Sequence, residues 1–170
     1  MKSFRLVLLL PLLFLSGCPL DLPFALGEPG PGSLDPALEG RWVWSEPKAK
    51  DEGEFEFTRF NGTEYLVLGR EKGREAAPLL FRVFTTKAGA VSYLNVCELK
   101  AGAEPSFLFV LYAVKGDELS LRIVDEGEVP KELQSDRKGL VRFLASRPEG
   151  AGSGEPLVLK RPPKASPKAG

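Results

Sequence analysis

The chain contains no histidine, only two cysteines and one methionine among its 170 residues. Without histidine it lacks the commonest general base, the Ser-His and Cys-His nucleophile pairs and most zinc sites. Basic and acidic residues are equal in number, 23 of each, so there is no positive field of the kind that nucleic acid requires. Gly-rich phosphate loops and cysteine pairs with metal-ligand spacing are absent as well. The sequence therefore predicts no enzyme, no nucleic-acid partner, no cofactor and no metal ion.

The longest apolar run, residues 6–15, follows Lys2 and Arg5 and is too short to span about 30 Å of hydrocarbon as a helix. It predicts an export signal. The run ends in Leu15-Ser16-Gly17-Cys18, which resembles the lipobox of bacterial lipoproteins. The resemblance implies cleavage before Cys18, diacylglycerol on its sulfur and a further acyl chain such as palmitate on the new N-terminus. An ordinary secretory signal with an incidental cysteine is the alternative.

Lipidation of Cys18 would determine where the protein resides. Two or three acyl chains, at about 0.8 kcal/mol per buried methylene, anchor a domain stably. We therefore expect a cell-envelope protein attached to a membrane through lipid. The residue after the cysteine is Pro19 rather than aspartate. By resemblance this favours the outer membrane, on its periplasmic or surface side.

The second cysteine, Cys97, has no intramolecular partner if Cys18 carries lipid. It lies in an apolar, strand-like segment, which predicts a buried and unreactive thiol. A reactive or intermolecular thiol is the alternative. No disulfide is expected to support the fold.

The chain divides into four segments. These are a lipoprotein signal peptide at 1–17, the lipidated cysteine with a proline- and glycine-rich tether at 18–37, one folded domain at 38–161 and a disordered basic tail at 162–170. Treated as a coil, the tether would hold the domain roughly 25 Å from the anchor. Weak attraction of the tail to anionic envelope polymers is an alternative to a merely solvated tail.

The folded domain reads as short strands followed by one helix. Strands are expected at 40–46, 55–60, 63–68, 79–86, 90–98, 107–115, 118–125 and 156–161. Ser135 is the candidate N-cap of a helix in which Leu140, Phe143 and Leu144 share one face. Eight strands suit a barrel. The sequence thus predicts a mainly β fold, an antiparallel up-and-down β-barrel of about eight short strands, with one C-terminal helix before the closing strand.

One hairpin has an explicit register. Asn61-Gly62 favours a two-residue type I′ turn with Gly62 at positive φ. This turn sets three opposing pairs, which are Phe57 with Leu66, Phe55 with Leu68, and Arg59 with Glu64. The four apolar side chains would form the core face, and the charged pair would lie at the solvated rim.

Two identical acidic tetrapeptides, Asp51-Glu52-Gly53-Glu54 and Asp125-Glu126-Gly127-Glu128, have the composition of exposed turns. A calcium site is the alternative, but they lack the spacing of an EF-hand loop. The region 69–78 alternates in charge and is expected to be a solvated loop. None of these three segments is predicted to form a metal-binding or catalytic site.

The opening Gly40-Arg41-Trp42 of the first barrel strand, the successive antiparallel strands and the helix before a closing strand together resemble the lipocalin or calycin family. In that family the tryptophan packs at the closed end of the barrel and an arginine lies across it. The resemblance implies Arg161 as the partner of Trp42, with Arg122 as second choice. The alternative is that Trp42 and Trp44 are ordinary packing residues.

Two functions remain open from sequence. In the first, the barrel interior binds a small apolar ligand or an acyl chain. The candidate lining residues are Trp42, Phe55, Phe57, Phe81, Phe107 and Phe109, with Phe84 also available. In the second, these side chains fill the barrel, and its loops bind an envelope protein. Interior volume separates the two, because ligand sites usually enclose about 300–1,000 Å³.

Overall fold

The computed structural model describes residues 18–46, 51–72, 77–147, 149–152 and 154–163. Residues 1–17, predicted to be a signal peptide, and residues 164–170 of the predicted tail lie outside the described residues. The described chain forms nine strands, which are β1 (Asp21–Leu22), β2 (Gly40–Glu46), β3 (Asp51–Arg59), β4 (Tyr65–Glu71), β5 (Leu79–Ala88), β6 (Val91–Glu98), β7 (Phe107–Lys115), β8 (Glu118–Ile123) and β9 (Leu157–Lys160). One α-helix, α1 (Arg137–Ala145), and three short 3-10 helices (Pro36–Leu38, Glu126–Glu128 and Lys131–Ser135) complete it.

Strands β2 to β9 form a closed antiparallel barrel, as the sequence predicts. Each strand from β2 to β8 pairs with the next along the chain. Strand β9 lies between β8 and β2 and closes the ring, with Leu119 opposite Leu159 and Val43 opposite Lys160. Leu159 is fully buried, whereas Val158 points outward and is exposed. Alternation along 156–161 predicts that Val158 faces away from Leu157 and Leu159, and this orientation of the closing strand is confirmed.

The predicted register of the β3–β4 hairpin is wrong by one residue. The connection is a five-residue loop, because Asn61 Oδ1 accepts hydrogen bonds from the backbone N–H groups of Thr63 and Glu64, both at 2.8 Å. Phe60 N–H closes the loop on the Glu64 carbonyl at 3.0 Å. Gly62 does not have positive φ. The asparagine side chain, rather than a left-handed glycine, therefore determines the turn.

This shift reverses the face that β4 turns to the core. Phe57 opposes Val67, Phe55 opposes Gly69 and Arg59 opposes Tyr65. Tyr65 and Val67 are buried inside the barrel, whereas the predicted core residues Leu66 and Leu68 lie on the outer face. A one-residue slip has this effect because successive side chains of a strand point to opposite faces. Arg59 pairs with Glu39, and Glu64 pairs with Arg82 at 2.7 Å.

The predicted tether is also wrong, because residues 18–38 pack against the barrel. Strand β1 lies outside the ring and pairs with β7. Leu20, Leu22 and Leu26 are buried, and Asn95 Oδ1 accepts a hydrogen bond from Leu26 N–H at 2.8 Å. These apolar residues have no regular period, so they do not predict a helix or a strand. The proline and glycine content of the segment therefore led to the prediction of a tether.

Helix α1 packs on the outer wall. Leu140 and Leu144 are fully buried there, in a cluster that also holds Leu20 and Phe109. The predicted cap is wrong, since Ser135 ends the preceding 3-10 helix and Asp136 is the N-cap. We call the apolar cluster outside the ring, formed by residues 20–26, α1 and the outward side chains of β6 and β7, the outer core.

Of the two acidic tetrapeptides, residues 125–128 form the expected turn, with Asp125 Oδ1 accepting a hydrogen bond from Gly127 N–H at 2.7 Å. Residues 51–54 instead begin β3, and 69–71 belong to β4, so both are strand where loop was expected. Charges on the outer face of these strands form cross-strand ion pairs, Glu54 with Arg70 and Glu52 with Lys72. Such pairs stabilise a strand of this composition.

Candidate functional site

One end of the barrel is closed by the 3-10 helix Pro36–Leu38. Asp35 caps this helix, its Oδ1 accepting a hydrogen bond from Ala37 N–H at 3.0 Å. Two tyrosines inside the barrel donate to the same residue, Tyr65 to the Asp35 carbonyl at 2.8 Å and Tyr112 to Asp35 Oδ2 at 3.0 Å. The helix is therefore fixed to the barrel wall by hydrogen bonds from two buried tyrosines.

The tryptophan singled out from sequence lies at this closed end. Trp42 is fully buried, and its Nε1–H donates to the Leu38 carbonyl at 2.8 Å. The Arg161 guanidinium lies over the Trp42 ring, its Cζ 4.2 Å from the ring centroid. The same guanidinium donates to the carbonyls of Glu39 at 2.9 Å and Ala37 at 2.8 Å. Arg161 directly follows β9 and thus connects the last strand with Trp42 and with the 3-10 helix Pro36–Leu38.

The choice of Arg161 over Arg122 is confirmed, since Arg122 contacts the Gly152 carbonyl instead. Gly40 is required beside this contact. Its φ is +100°, and a Cβ there would lie 3.2 Å from Arg161 Nη1. A side chain at Gly40 would therefore strain the backbone and crowd the arginine.

Burial of the two tyrosines raises their pKa values. The pKa of Tyr65 rises to about 12, chiefly through desolvation and secondarily through the Glu39 carboxylate. Burial and the Asp35 carboxylate raise the pKa of Tyr112 further. Both phenols remain protonated donors at neutral pH.

The other end of the interior holds a small cavity of about 70 Å³ that is partly open to solvent. Apolar side chains alone form its wall. They are Phe55, Phe57, Val67, Phe81, Val83, Leu94, Val96, Leu108, Val110, Leu121 and Ile123. Phe55, Val96, Leu108 and Ile123 are half-buried, in contrast to the fully buried side chains of the closed end. We call this the open end of the barrel.

Four of the six predicted lining residues face the interior. Phe55, Phe57 and Phe81 line the cavity, and Trp42 lies in the closed end. Phe107 and Phe109 were wrongly placed, because they belong to the outer core. On β7 the side chains of Leu108 and Val110 point inward, so those of the flanking phenylalanines point outward. Both faces of β7 are apolar because both are covered.

Phe84, the further candidate, also lies outside the ring. Val83 beside it belongs to the interior cluster, and the Phe84 ring contacts that of Phe107 edge-on at a centroid distance of 6.5 Å. The sequence analysis did not identify the aliphatic part of the lining. Its signal is the alternation of Leu119, Leu121 and Ile123 along β8, which marks an inward face.

Two interior aromatic rings near the open end lie over glycines of the neighbouring strand. Trp44 opposes Gly53, where a Cβ would come within 2.7 Å of the indole ring. Phe55 opposes Gly69, where a Cβ would lie 3.1 Å from the phenyl ring. These glycines leave the space that the two rings occupy, and the Phe55 ring forms part of the cavity wall.

The cysteines differ in exposure. Cys97 is buried, as expected. Cys18 is exposed, and its carbonyl accepts a hydrogen bond from Glu126 N–H at 2.8 Å. Within the described part of the chain, no group of His, Cys, Asp and Glu side chains could hold a metal ion. Nor is any described helix both long and apolar enough to cross a bilayer.

A larger groove, of about 790 Å³, lies on the outer wall and is lined by residues of β9, β2, β3 and β4. Its charged side chains largely satisfy one another, since Glu54 pairs with both Arg41 and Arg70, and Glu52 pairs with Lys72. The groove therefore offers few unpaired charges to a ligand. The apolar open end is the stronger candidate.

Comparison of the chain with known protein families, with curated proteins and with solved structures found no match. The barrel and the geometry of its two ends are therefore the basis on which a function is inferred.

Proposed function

We propose that this protein is a lipid-anchored, non-enzymatic envelope lipoprotein whose lipocalin-like barrel binds the end of one narrow hydrocarbon chain. The observation that carries the proposal is the cavity at the open end, which is bounded only by apolar side chains. An acyl chain needs no polar partner, and burying it gains about 0.8 kcal/mol per methylene. Polar or charged ligands would lose their hydration in this cavity without replacement hydrogen bonds.

The volume limits the ligand. About 70 Å³ is well below the roughly 300 Å³ at which ordinary ligand pockets begin. It is also smaller than the apolar cavity of about 150 Å³ that accepts benzene in another protein. The proposal is therefore restricted to the end of a chain, a few methylenes long, with the rest of the ligand outside the barrel.

The same volume favours a second candidate, in which the barrel is a filled scaffold that binds an envelope protein. The closed end is occupied by the buried rings of Trp42, Tyr65 and Tyr112. The two candidates differ in a measurable way, since only the first requires a hydrocarbon chain to enter among Phe55, Phe81 and Val96.

The test uses the chain from residue 18 onward with Cys18→Ser, titrated with a fluorescent polyene fatty acid and analysed in parallel by native mass spectrometry. We expect saturable binding of one fatty acid. Val96→Phe, which places a ring in the cavity, should abolish binding. Thr58→Phe adds the same ring on the exposed outer face of β3 and should leave binding unchanged. Equal binding by both variants, or no binding by the parent chain, would favour the filled scaffold.

The anchor is tested separately. In cells, Cys18→Ser should prevent both lipid attachment and processing, because a hydroxyl does not replace the thiol in forming the thioether. The variant should then remain unprocessed or become soluble. Membrane association that survives a carbonate wash, together with cleavage at the usual place, would contradict lipidation of Cys18.

A further inference from the structure

The backbone of Cys18 is fixed to the folded body rather than held on a spacer. Its carbonyl accepts a hydrogen bond from Glu126 N–H at 2.8 Å, and Leu20 N–H donates to the Val124 carbonyl at 2.9 Å. Pro19 forms a β-bridge with Asp125, and Leu20 is almost fully buried. A lipid on the Cys18 sulfur would therefore be attached to one defined place on the barrel.

That place is near the open end. Glu126 follows Ile123, a residue of the cavity wall, by three positions, so their Cα atoms are at most about 11 Å apart. Strand β1, which begins three residues after Cys18, pairs Asp21 with Leu108, a second residue of the cavity wall. The closed end with its 3-10 helix lies at the opposite end of the strands.

Exposed apolar side chains lie at the same end. Leu99 is 46% exposed and Leu80 is 37% exposed, and Leu99 N–H donates to the Leu80 carbonyl at 2.8 Å. Leu80 directly precedes the cavity residue Phe81. Beside Leu99, Glu98 and Lys100 form an ion pair at 2.7 Å, so these two charges compensate each other.

Building on the proposed function, we propose that the open end of the barrel rests against the bilayer that holds the anchor, with the closed end pointing away. The partner is the lipid surface itself. Because the Cys18 backbone is fixed near the open end, chains attached to its sulfur hold that end close to the bilayer. Leu99 and Leu80 then enter the headgroup region, where apolar side chains of peripheral proteins gain burial. The hydrocarbon chain bound in the cavity would then come from bilayer lipid.

The test uses the complete lipidated protein in vesicles of phosphatidylethanolamine and phosphatidylglycerol. A photoreactive benzoylphenylalanine replaces one exposed apolar residue at a time. The positions are Leu99 at the open end, Phe60 at the closed end, where it is 60% exposed, and Val158 on the wall, where it is 40% exposed. After irradiation and flotation, mass spectrometry measures the fraction of protein that carries a lipid adduct. Leu80 provides a second open-end position if the Leu99 variant does not fold.

We expect a lipid adduct at Leu99 and almost none at Phe60 or Val158. Equal adducts at Leu99 and Phe60, a dominant adduct at Val158, or none anywhere on protein that floats with the vesicles would overturn the orientation. If the protein does not float with the vesicles, both the proposed orientation and the proposed lipid anchor are contradicted. The fatty-acid titration is independent of all these outcomes, since it uses unlipidated protein. An adduct at Leu99 without fatty-acid binding would therefore reject the proposed ligand and keep the orientation.

Discussion

The two ends of the barrel interior differ in how their side chains are satisfied. At the closed end, indole and phenol donors reach carbonyl and carboxylate oxygens of residues 35–38, and an arginine covers the tryptophan. At the open end every lining side chain is apolar and several are only half-buried. Buried hydrogen bonds have directions and so specify one arrangement, whereas apolar contacts tolerate exchange. The closed end is thus built for a fixed structure, and the open end can accept a hydrocarbon guest.

The largest effect should come from removing the closing strand. Truncation after Arg147 removes β9 and Arg161, which opens a sheet edge and uncovers the side chains around Leu119 and Trp42. We expect a loss of several kcal/mol and aggregation. Truncation after Pro163 should cost almost nothing. Thermal unfolding compares the two proteins, and equal midpoints would contradict the role of β9.

A direct comparison of the two ends uses matched truncations of aromatic side chains. Trp42→Ala removes a fully buried ring and its hydrogen bond, and should lower the free energy of unfolding by about 3–5 kcal/mol. Phe55→Ala removes a half-buried ring at the open end and should cost less than half as much. Urea denaturation gives both values. A greater loss of stability for Phe55→Ala than for Trp42→Ala would contradict the description of the closed end as the fixed end.

A smaller effect is expected at the glycines that lie under the rings. Gly53→Ala places a methyl group 2.7 Å from the Trp44 indole and from the Arg70 carbonyl oxygen, and should cost about 1–3 kcal/mol. Gly62→Ala is the matched control, because that position has open space and no positive φ. Its midpoint of urea denaturation should be close to that of the parent. A large loss of stability in Gly62→Ala would instead support the type I′ turn with Gly62 at positive φ.

The smallest effect concerns alkaline pH. Burial raises the pKa of Tyr65 to about 12 in the folded protein, above the value of about 10 in an unfolded chain. The unfolded state therefore binds fewer protons between these values, and the free energy of unfolding falls as the pH rises through them. Tyr65→Phe should make this fall shallower and cost about 1 kcal/mol at neutral pH through the lost hydrogen bond. An unchanged alkaline slope would argue against the buried phenol.

Much of the architecture follows from patterns along the chain. The number and order of the eight barrel strands, the helix before the last strand and the inward face of β9 follow from alternation and turn residues. Arg161 as the partner of Trp42 came from a family resemblance, and the two side chains are in contact. These features depend on neighbours in sequence or on one recognisable motif, so the sequence is sufficient to indicate them.

Three features were decided by contacts that the local sequence pattern does not specify. Asn61 sets a five-residue loop through its own side chain, and this moves Tyr65 rather than Leu66 into the core. The inward face of β7 is not visible from its sequence, because the interior covers one side and the outer core the other. Residues 18–38 are ordered by bonds such as that between Leu26 and Asn95, 69 positions apart. Local composition predicted a solvated coil there, since a chain's own propensities contain no information about the surface on which it folds.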